Sequence, residues 1–196
     1  MWNIKTPGIP DEFFERDEGV PITKEEVRVV QISKARLKPG MIVYDIGCGS
    51  GSISVEAALQ IEDSGHVHAV DNDVKAIELT KKNLAKFEVK NVSVINNDAN
   101  KAISDLPEAD AIFIGGTGKD TEEIVKLCQD KLKQGGRIVI GMILIETIFS
   151  VLSLIQELSF NSIDITQVTI SKSRKTSPGT MMLARNPVTV LADTKN

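Results

Sequence analysis

Apolar residues run almost unbroken through Met41-Ile42-Val43-Tyr44-Asp45-Ile46, with no alternation, so this segment reads as a strand covered on both faces. The segment that follows, Ile53-Ser54-Val55-Glu56-Ala57-Ala58-Leu59, reads as a helix. Strand and helix patterns go on alternating along the chain. They predict strands near 41–46, 66–70, 92–96, 110–114 and 136–142, with helices near 51–60, 73–86, 120–132 and 146–158. Such alternation makes a parallel sheet covered by helices. Ile124, Val125, Cys128 and Leu132 form one apolar stripe, and Ile148, Leu152 and Ile155 another; both are read as core.

The two ends of the chain break this pattern. An irregular arm, rich in proline and acidic residues, runs to about Ile22. Thr23-Lys24-Glu25-Glu26 then has the Thr-x-x-Glu form of a capping box and predicts a helix ending near Leu37, before Pro39-Gly40. Toward the C-terminus, Ser162–Ser171 and Thr180–Ala184 read as two antiparallel strands around the polar loop KSRKTSPG, with no helix between them. A mostly parallel α/β sheet that ends in an antiparallel hairpin is the architecture of Rossmann-like, class I S-adenosylmethionine (SAM) methyltransferases. It is much less expected of dehydrogenases.

Composition narrows the setting. With 196 residues, 41% of them hydrophobic, one substantial core can form, so a single domain over 1–196 is expected. A net charge of −4 gives no general attraction to nucleic acid or to an anionic membrane. The N-terminus lacks the apolar core of a signal peptide, and the longest apolar run, Ile138–Ile145, is too short to span a bilayer. A cytoplasmic protein is expected. Cys48 and Cys128 give neither a disulfide framework nor a zinc spacing. His66 and His68 share a strand face but have no third ligand at a supporting distance, so they read as structural and no metal is expected.

Candidate chemistry begins at Gly47-Cys48-Gly49-Ser50-Gly51, a G-x-G-x-G turn between strand and helix. The dinucleotide fingerprint would need glycine at position 52, which is Ser52, so the spacing favours SAM over NAD. Bare backbone at a helix N-terminus lets a polar or charged ligand come close; the alternative is a tight turn with no ligand. Asp71, about 20 residues on, ends the second strand, where a carboxylate can accept from both ribose hydroxyls. Its alternative is helix capping, for which Asp73 is also available. Asp98 and Ala99 follow the third strand, beside the expected adenine, and Asp98 serves equally well as a cap. After the fourth strand, Phe113-Ile114-Gly115-Gly116-Thr117-Gly118 has no aromatic clamp of the Asn-Pro-Pro-Tyr kind, which argues against a base or amide nitrogen as methyl acceptor. Its glycines fit a large flat substrate or the methionine end of SAM, or a plain turn.

Taken together, GIPDEFFERDEGVPITKEEVR, DIGCGSGSISVE, IGGTGKD, GGRIVIGMILIET and GTMMLARNPV resemble the decarboxylating cobalt-precorrin-6B carbon-15 methyltransferases of anaerobic cobalamin biosynthesis, over almost the whole chain. The resemblance implies transfer of a methyl group from SAM to a tetrapyrrole ring carbon, with loss of CO2 from the ring C acetate, giving cobalt-precorrin-7. It implies SAM contacts from Thr23, from Gly47, Cys48, Gly49, Ser50 and Gly51, and from Asp71 and Ala99. Thr117 stands where the family often has serine, and keeps the hydroxyl. The resemblance also implies a homo-oligomer and suggests a tetramer. A polycarboxylate substrate needs cationic partners, and Lys172, Arg174, Lys175 and Arg185 are the candidates, a solvated basic loop being the alternative. Glu146 could assist proton transfer or cap a helix; no catalytic side chain is assigned. Two other readings stay open: a SAM-dependent RNA or protein methyltransferase of this fold, and a nucleotide-binding module without chemistry.

Overall fold

The structure is a computed structural model, and it describes every residue except 1, 3, 159, 161 and 162. In chain order it contains α1 (Glu25–Ala35), β1 (Ile42–Ile46), α2 (Ser52–Ile61), β2 (His66–Asp71), α3 (Val74–Lys86), β3 (Val92–Asn96) and α4 (Ala99–Asp105). There follow β4 (Ala109–Ile114), α5 (Thr121–Lys131), β5 (Leu132–Met142), α6 (Ile145–Glu157), β6 (Asp164–Val168), β7 (Ser171–Thr176), β8 (Gly179–Ala184) and β9 (Val188–Thr194).

Seven strands form one sheet in the order β3-β2-β1-β4-β5-β9-β6. The first five are parallel, and β9 runs antiparallel to both β5 and β6. Successive residues of β1 face opposite layers, as a strand's period of two requires. Tyr44 and Ile46 pack with α4, α5 and α6 through Ile103, Val125, Cys128 and Val151, while Val43 packs with α1 and α2 through Val27, Ile32, Ala57 and Ile61. This double cover explains the unbroken apolar run. The chain departs from β1 in opposite directions along the sheet, so the ends of β1 and β4 flank a topological switch point, where α/β sheets bind ligands. Ile46 pairs with Ile114, which sets the glycine turn beside Gly115 and Gly116.

Several expectations need correction. Thr23 does not cap α1. Lys24 holds the cap position without a side-chain bond, and the Glu25 amide donates to Asp11 Oδ1 of the arm at 2.9 Å. The Glu26 carboxylate has turned instead to Lys172 and Arg185, at 2.7 and 3.7 Å. Helix α5 stops at Lys131, and Leu132 already belongs to β5, whose pairing with β4 is irregular between Leu132 and Arg137. On α6 the buried stripe is Val151, Leu154 and Ile155; Ile148 and Leu152 sit at its edge. The expected hairpin is divided differently: β7 and β8 pair as a separate two-stranded sheet, so that most of KSRKTSPG is strand, and β9, which was not expected, enters the main sheet beside β5. The expected strand start at Ser162 lies outside the described residues. His66 bonds Ser93 and His68 packs edge-on to Tyr44; no group of three or more residues able to hold a metal occurs among the described residues.

The arm is bound to the body by charge. Glu56 is buried on α2 and accepts from the Gly8 amide at 2.8 Å, the Ile9 amide at 3.0 Å and Arg28 Nε at 2.6 Å. Arg28, wholly buried on α1, also donates to the carbonyls of Thr23 and Ile9 and pairs with Asp11 at 3.4 Å. Its guanidinium lies 4.8 Å from the centre of the Phe14 ring.

Candidate functional site

The glycine turn is crowded chiefly by the protein itself. A Cβ on Gly47 would lie 1.8 Å from the Gly115 carbonyl oxygen, one on Gly51 2.8 Å from Thr80, and one on Gly49 3.0 Å from the Pro21 carbonyl oxygen. All three glycines have positive φ, a region that residues with a Cβ enter only at a cost. The bare backbone therefore first lets β1, β4, α3 and the arm converge. The amides of Gly47 and Cys48 are spent on the Val70 carbonyl, at 2.9 and 3.1 Å. Asp71 shapes the turn as well, since Oδ2 accepts from the Gly49 amide and Oδ1 from the Asp73 amide, each at 2.9 Å. Asp73 and Asp98 cap α3 and α4, so their capping roles are real.

Two cavities open on either side of this turn. The smaller, about 70 Å³, is lined by Gly47, Asp71, Asn72, Asp98, Ala99 and Gly116, with Asn97, Thr117 and Ile124 around them. The larger, about 340 Å³, lies between α1 and the ends of β1, β4 and β5. Gly47 and Gly116 border both, so a ligand can lie across the turn. Expected residues Thr23, Gly47, Cys48 and Gly49 line the larger cavity, and Asp71 and Ala99 the smaller. Ser50 and Gly51 are behind the turn: Ser50 is buried and its carbonyl accepts from Asn83, while Gly51 caps α2.

The walls of the larger cavity are mostly apolar, from Val27, Ile53, Phe113, Ile114, Ile143 and Val188. Among them stand two buried polar side chains, Asp45 and Gln31. Burial pushes the Asp45 carboxyl up to about 6; the Ser54 hydroxyl that bonds it works the other way, and the charge of Asp71 adds to the rise. Burial likewise pushes the Cys48 thiol far up, so it is no thiolate nucleophile. An acidic residue inside the apolar run of β1 was a visible sign of Asp45. Gln31 gave none, because an amide on a helix face is unremarkable.

The basic residues divide into two pairs. Lys172 is held by Glu25 and Glu26 at 2.8 and 2.7 Å, contacts that raise its pKa, and Arg185 lies 3.7 Å from both Asp11 and Glu26. These two tie the base of the β7–β8 hairpin to α1 and the arm, so they are not the free cations that were expected. Arg174 and Lys175, farther along β7, are exposed and form no ion pair among the described residues.

The model of the precorrin methyltransferase domain matches residues 12–195. The chain belongs to that family. A relative from Saccharolobus solfataricus, described as a "probable cobalt-precorrin-6B C(15)-methyltransferase (decarboxylating)", is 46% identical over 99% of this chain and 98% of its own length. The crystal structure of a precorrin-8w decarboxylase from Methanobacterium thermoautotrophicum has a TM-score of 0.89 at 34% identity, covering 94% of this chain and 98% of that one. A precorrin-6y C5,15-methyltransferase structure from Geobacter metallireducens gives 0.90 at 30% identity, over 97% and 99%. In this precorrin methyltransferase the two cavities thus occupy the strand ends of a fold shared along nearly the full length of its relatives.

Proposed function

We propose that this chain is a SAM-dependent, decarboxylating C-methyltransferase that methylates carbon 15 of cobalt-precorrin-6B and removes the ring C acetate carboxyl, yielding cobalt-precorrin-7. The observation that carries the donor side of this reading is the pair of cavities that share Gly47 and Gly116, one small and polar beside Asp71 and Ala99, the other larger and apolar beside Thr23 and Asp45; the substrate is that named for the relative at 46% identity. They fit a ligand with a nucleoside at one end and an amino acid at the other. Asp71 suits the ribose, Ala99 the adenine edge, and Thr23 with the bare turn the methionine end. SAM supplies an electrophilic methyl on a sulfonium. The chain's part is alignment: the turn and Gly115–Gly116 hold the donor side, and the apolar walls exclude water where the ring carbon arrives. Such orientation can contribute up to about 7–11 kcal/mol in model systems. At about 340 Å³ the larger cavity is at the small end of ligand sites, so a tetrapyrrole inserts one edge and leaves most of its carboxylates outside, with the exposed Arg174 and Lys175 as the candidate partners.

Incubation with SAM and cobalt-precorrin-6B tests the reading by mass spectrometry. A product that has gained one methyl and lost CO2 supports it, and unchanged tetrapyrrole contradicts it.

Two further outcomes are expected. Asp71→Ala removes a carboxylate whose charge-assisted bonds contribute about 1.5–3 kcal/mol each, so calorimetry should find SAM binding roughly 10- to 100-fold weaker. Unchanged affinity in the folded variant would place the ribose elsewhere. The second concerns pH. The folded-state pKa of Asp45, about 6, lies above the ordinary value of about 4, so the free protein binds the extra proton in this interval and loses stability as pH rises through it. A cationic ligand in the same cavity favours the charged carboxylate. SAM affinity should therefore rise as pH rises from about 5 to 7, with proton release seen as a buffer-dependent binding enthalpy. Asp45→Asn should flatten both effects; a persisting slope would assign them to another group.

The remaining expectations belong to the same reading: a single domain, a cytoplasmic location and assembly into a homo-oligomer. Among the described residues no helix is long and apolar enough to cross a membrane. Self-association is supported by the β7–β8 hairpin, every residue of β8 being exposed, with Met181, Met182 and Leu183 in water. Two strands alone are marginal, and a neighbouring copy would cover them.

A further inference from the structure

The larger cavity has two distinct ends. Its floor runs from the end of β1, at the glycine turn, across β4 at Gly115–Gly116, to Gly141 and Ile143 at the end of β5. Two strand spacings separate β1 from β5, about 10 Å. Helix α1 spans the same interval: Pro21, just before it, approaches Gly49, Gln31 lies against Gly141, and Gln31 is seven residues on from Lys24, again about 10 Å. The donor side thus ends at the turn and Thr23, and the far end is marked by Gln31 beside Gly141.

Gln31 is an odd occupant of that end. It is only 4% exposed, and among the described residues its Oε1 is buried without a hydrogen-bond partner while its Nε2, the group able to donate, also forms no hydrogen bond. A buried amide without a partner costs stability, and a leucine would fit the apolar surroundings better. Room for it is made by its neighbour, since a Cβ on Gly141 would lie 2.3 Å from Gln31 Nε2. The backbone of Gly141 does not have positive φ, so the amide, and not the chain path, is what its lack of a side chain serves. Two positions are therefore arranged to keep an unsatisfied amide inside an apolar cavity.

We infer that the Gln31 carboxamide is a substrate-contacting residue that donates to the acetate carboxylate lost from ring C and sets its orientation for cleavage. This rests on the proposed reaction. Carbon 15 takes the sulfonium methyl with an electron pair from the macrocycle. The bond from the acetate methylene to the carboxyl carbon breaks, its pair returns to the macrocycle, and CO2 departs. The methylene gains a proton as carbon 15 gives one up, so charge and atoms balance without a further reactant. The carboxylate's charge disappears in this step. A lysine or arginine against it would stabilise the ground state more than the transition state, whereas a neutral amide fixes direction with little such penalty. Lys24, the cation on the cavity wall, is at the other end, 3.8 Å from Asp11.

Three variants test this with the complete chain: Gln31→Leu, which keeps the volume, Gln31→Glu, which adds a repelling charge, and Gly141→Ala, which pushes the amide aside without removing it. Gln31→Leu should melt at or above the wild-type temperature and bind SAM within twofold of it. Its kcat for the decarboxylated product should fall at least tenfold, and mass spectrometry should find methylated tetrapyrrole that still carries the carboxyl. Gln31→Glu should lose more, and Gly141→Ala should show the same shift in product ratio. Wild-type turnover and product ratio in Gln31→Leu overturn the inference. So does tenfold weaker SAM binding with an unchanged ratio, which assigns the amide to the donor. If wild type itself produces no methylated, decarboxylated tetrapyrrole, the proposed reaction falls and this inference with it; a working wild type with indifferent variants overturns the inference alone.

Discussion

Arg28→Met is expected to lower the free energy of unfolding by about 3–5 kcal/mol, because it leaves Glu56 as an uncompensated charge with 2% exposure. The loss reaches further than one ion pair. The guanidinium also holds the carbonyls of Thr23 and Ile9 and pairs with Asp11, whose Oδ1 accepts from the first amide of α1. Without it the arm keeps the two amide bonds to Glu56, the contacts of Glu15 with Asn83 and Lys86, the Asp11 contacts with Glu25 and Arg185, and the apolar packing of Ile9, Phe14 and Ile22. Pro21, Ile22 and Thr23 form one wall of the larger cavity, so SAM binding should weaken along with stability. Urea unfolding measures the first effect and calorimetry the second. The double variant Arg28→Met/Glu56→Leu separates them, for it removes the uncompensated buried charge and should recover part of the stability, while the Gly8 and Ile9 amides lose their acceptor and the arm stays loose. Recovery of SAM affinity together with stability would mean that the arm does not shape the site.

Gly47→Ala should abolish measurable SAM binding, a fall of at least about two orders of magnitude. The added methyl would sit 1.8 Å from the Gly115 carbonyl oxygen, on a residue with φ of 74°. Left-handed backbone alone costs roughly 1–2 kcal/mol for a residue with a Cβ. The overlap costs more, because it can be relieved only by parting the ends of β1 and β4, which the Gly115 amide closes by donating to Ile46 at 3.0 Å. Both cavities meet at that seam. Thermal unfolding shows whether the sheet survives, and titration of the folded fraction shows whether the site does. Normal affinity in a folded Gly47→Ala protein would show that the seam is not where the ligand crosses.

The centre of the sheet and its helices were legible because strands such as β1 and β4 are covered on both faces, which leaves apolar runs that need no partner to be recognised. The turn at Gly47–Gly51 was legible as a cofactor motif, but not the reason for its glycines, which is the approach of Gly115, Pro21 and Thr80 from distant parts of the chain. Strand β9 was hidden by the exposed apolar residues of β8 just before it, which made Thr180–Ala184 look like the last strand. Local pattern also misjudged Thr23 and Glu26: their spacing fits a capping box, yet stronger partners from the arm and the hairpin, Asp11, Lys172 and Arg185, took over both roles. Lys172 and Arg185 were legible as cations and not as paired ones, since their partners are more than a hundred residues away in the chain. Gln31 could be found only from the cavity, where its buried, unpartnered amide becomes visible.

Carbon-13 NMR of the tetrapyrrole formed from SAM labelled in its methyl group tests the central claim most directly. The account predicts a single labelled methyl on carbon 15, with the ring C acetate replaced by an unlabelled methyl. A label on another carbon, on oxygen or on nitrogen, or a labelled product that keeps its acetate, would contradict it.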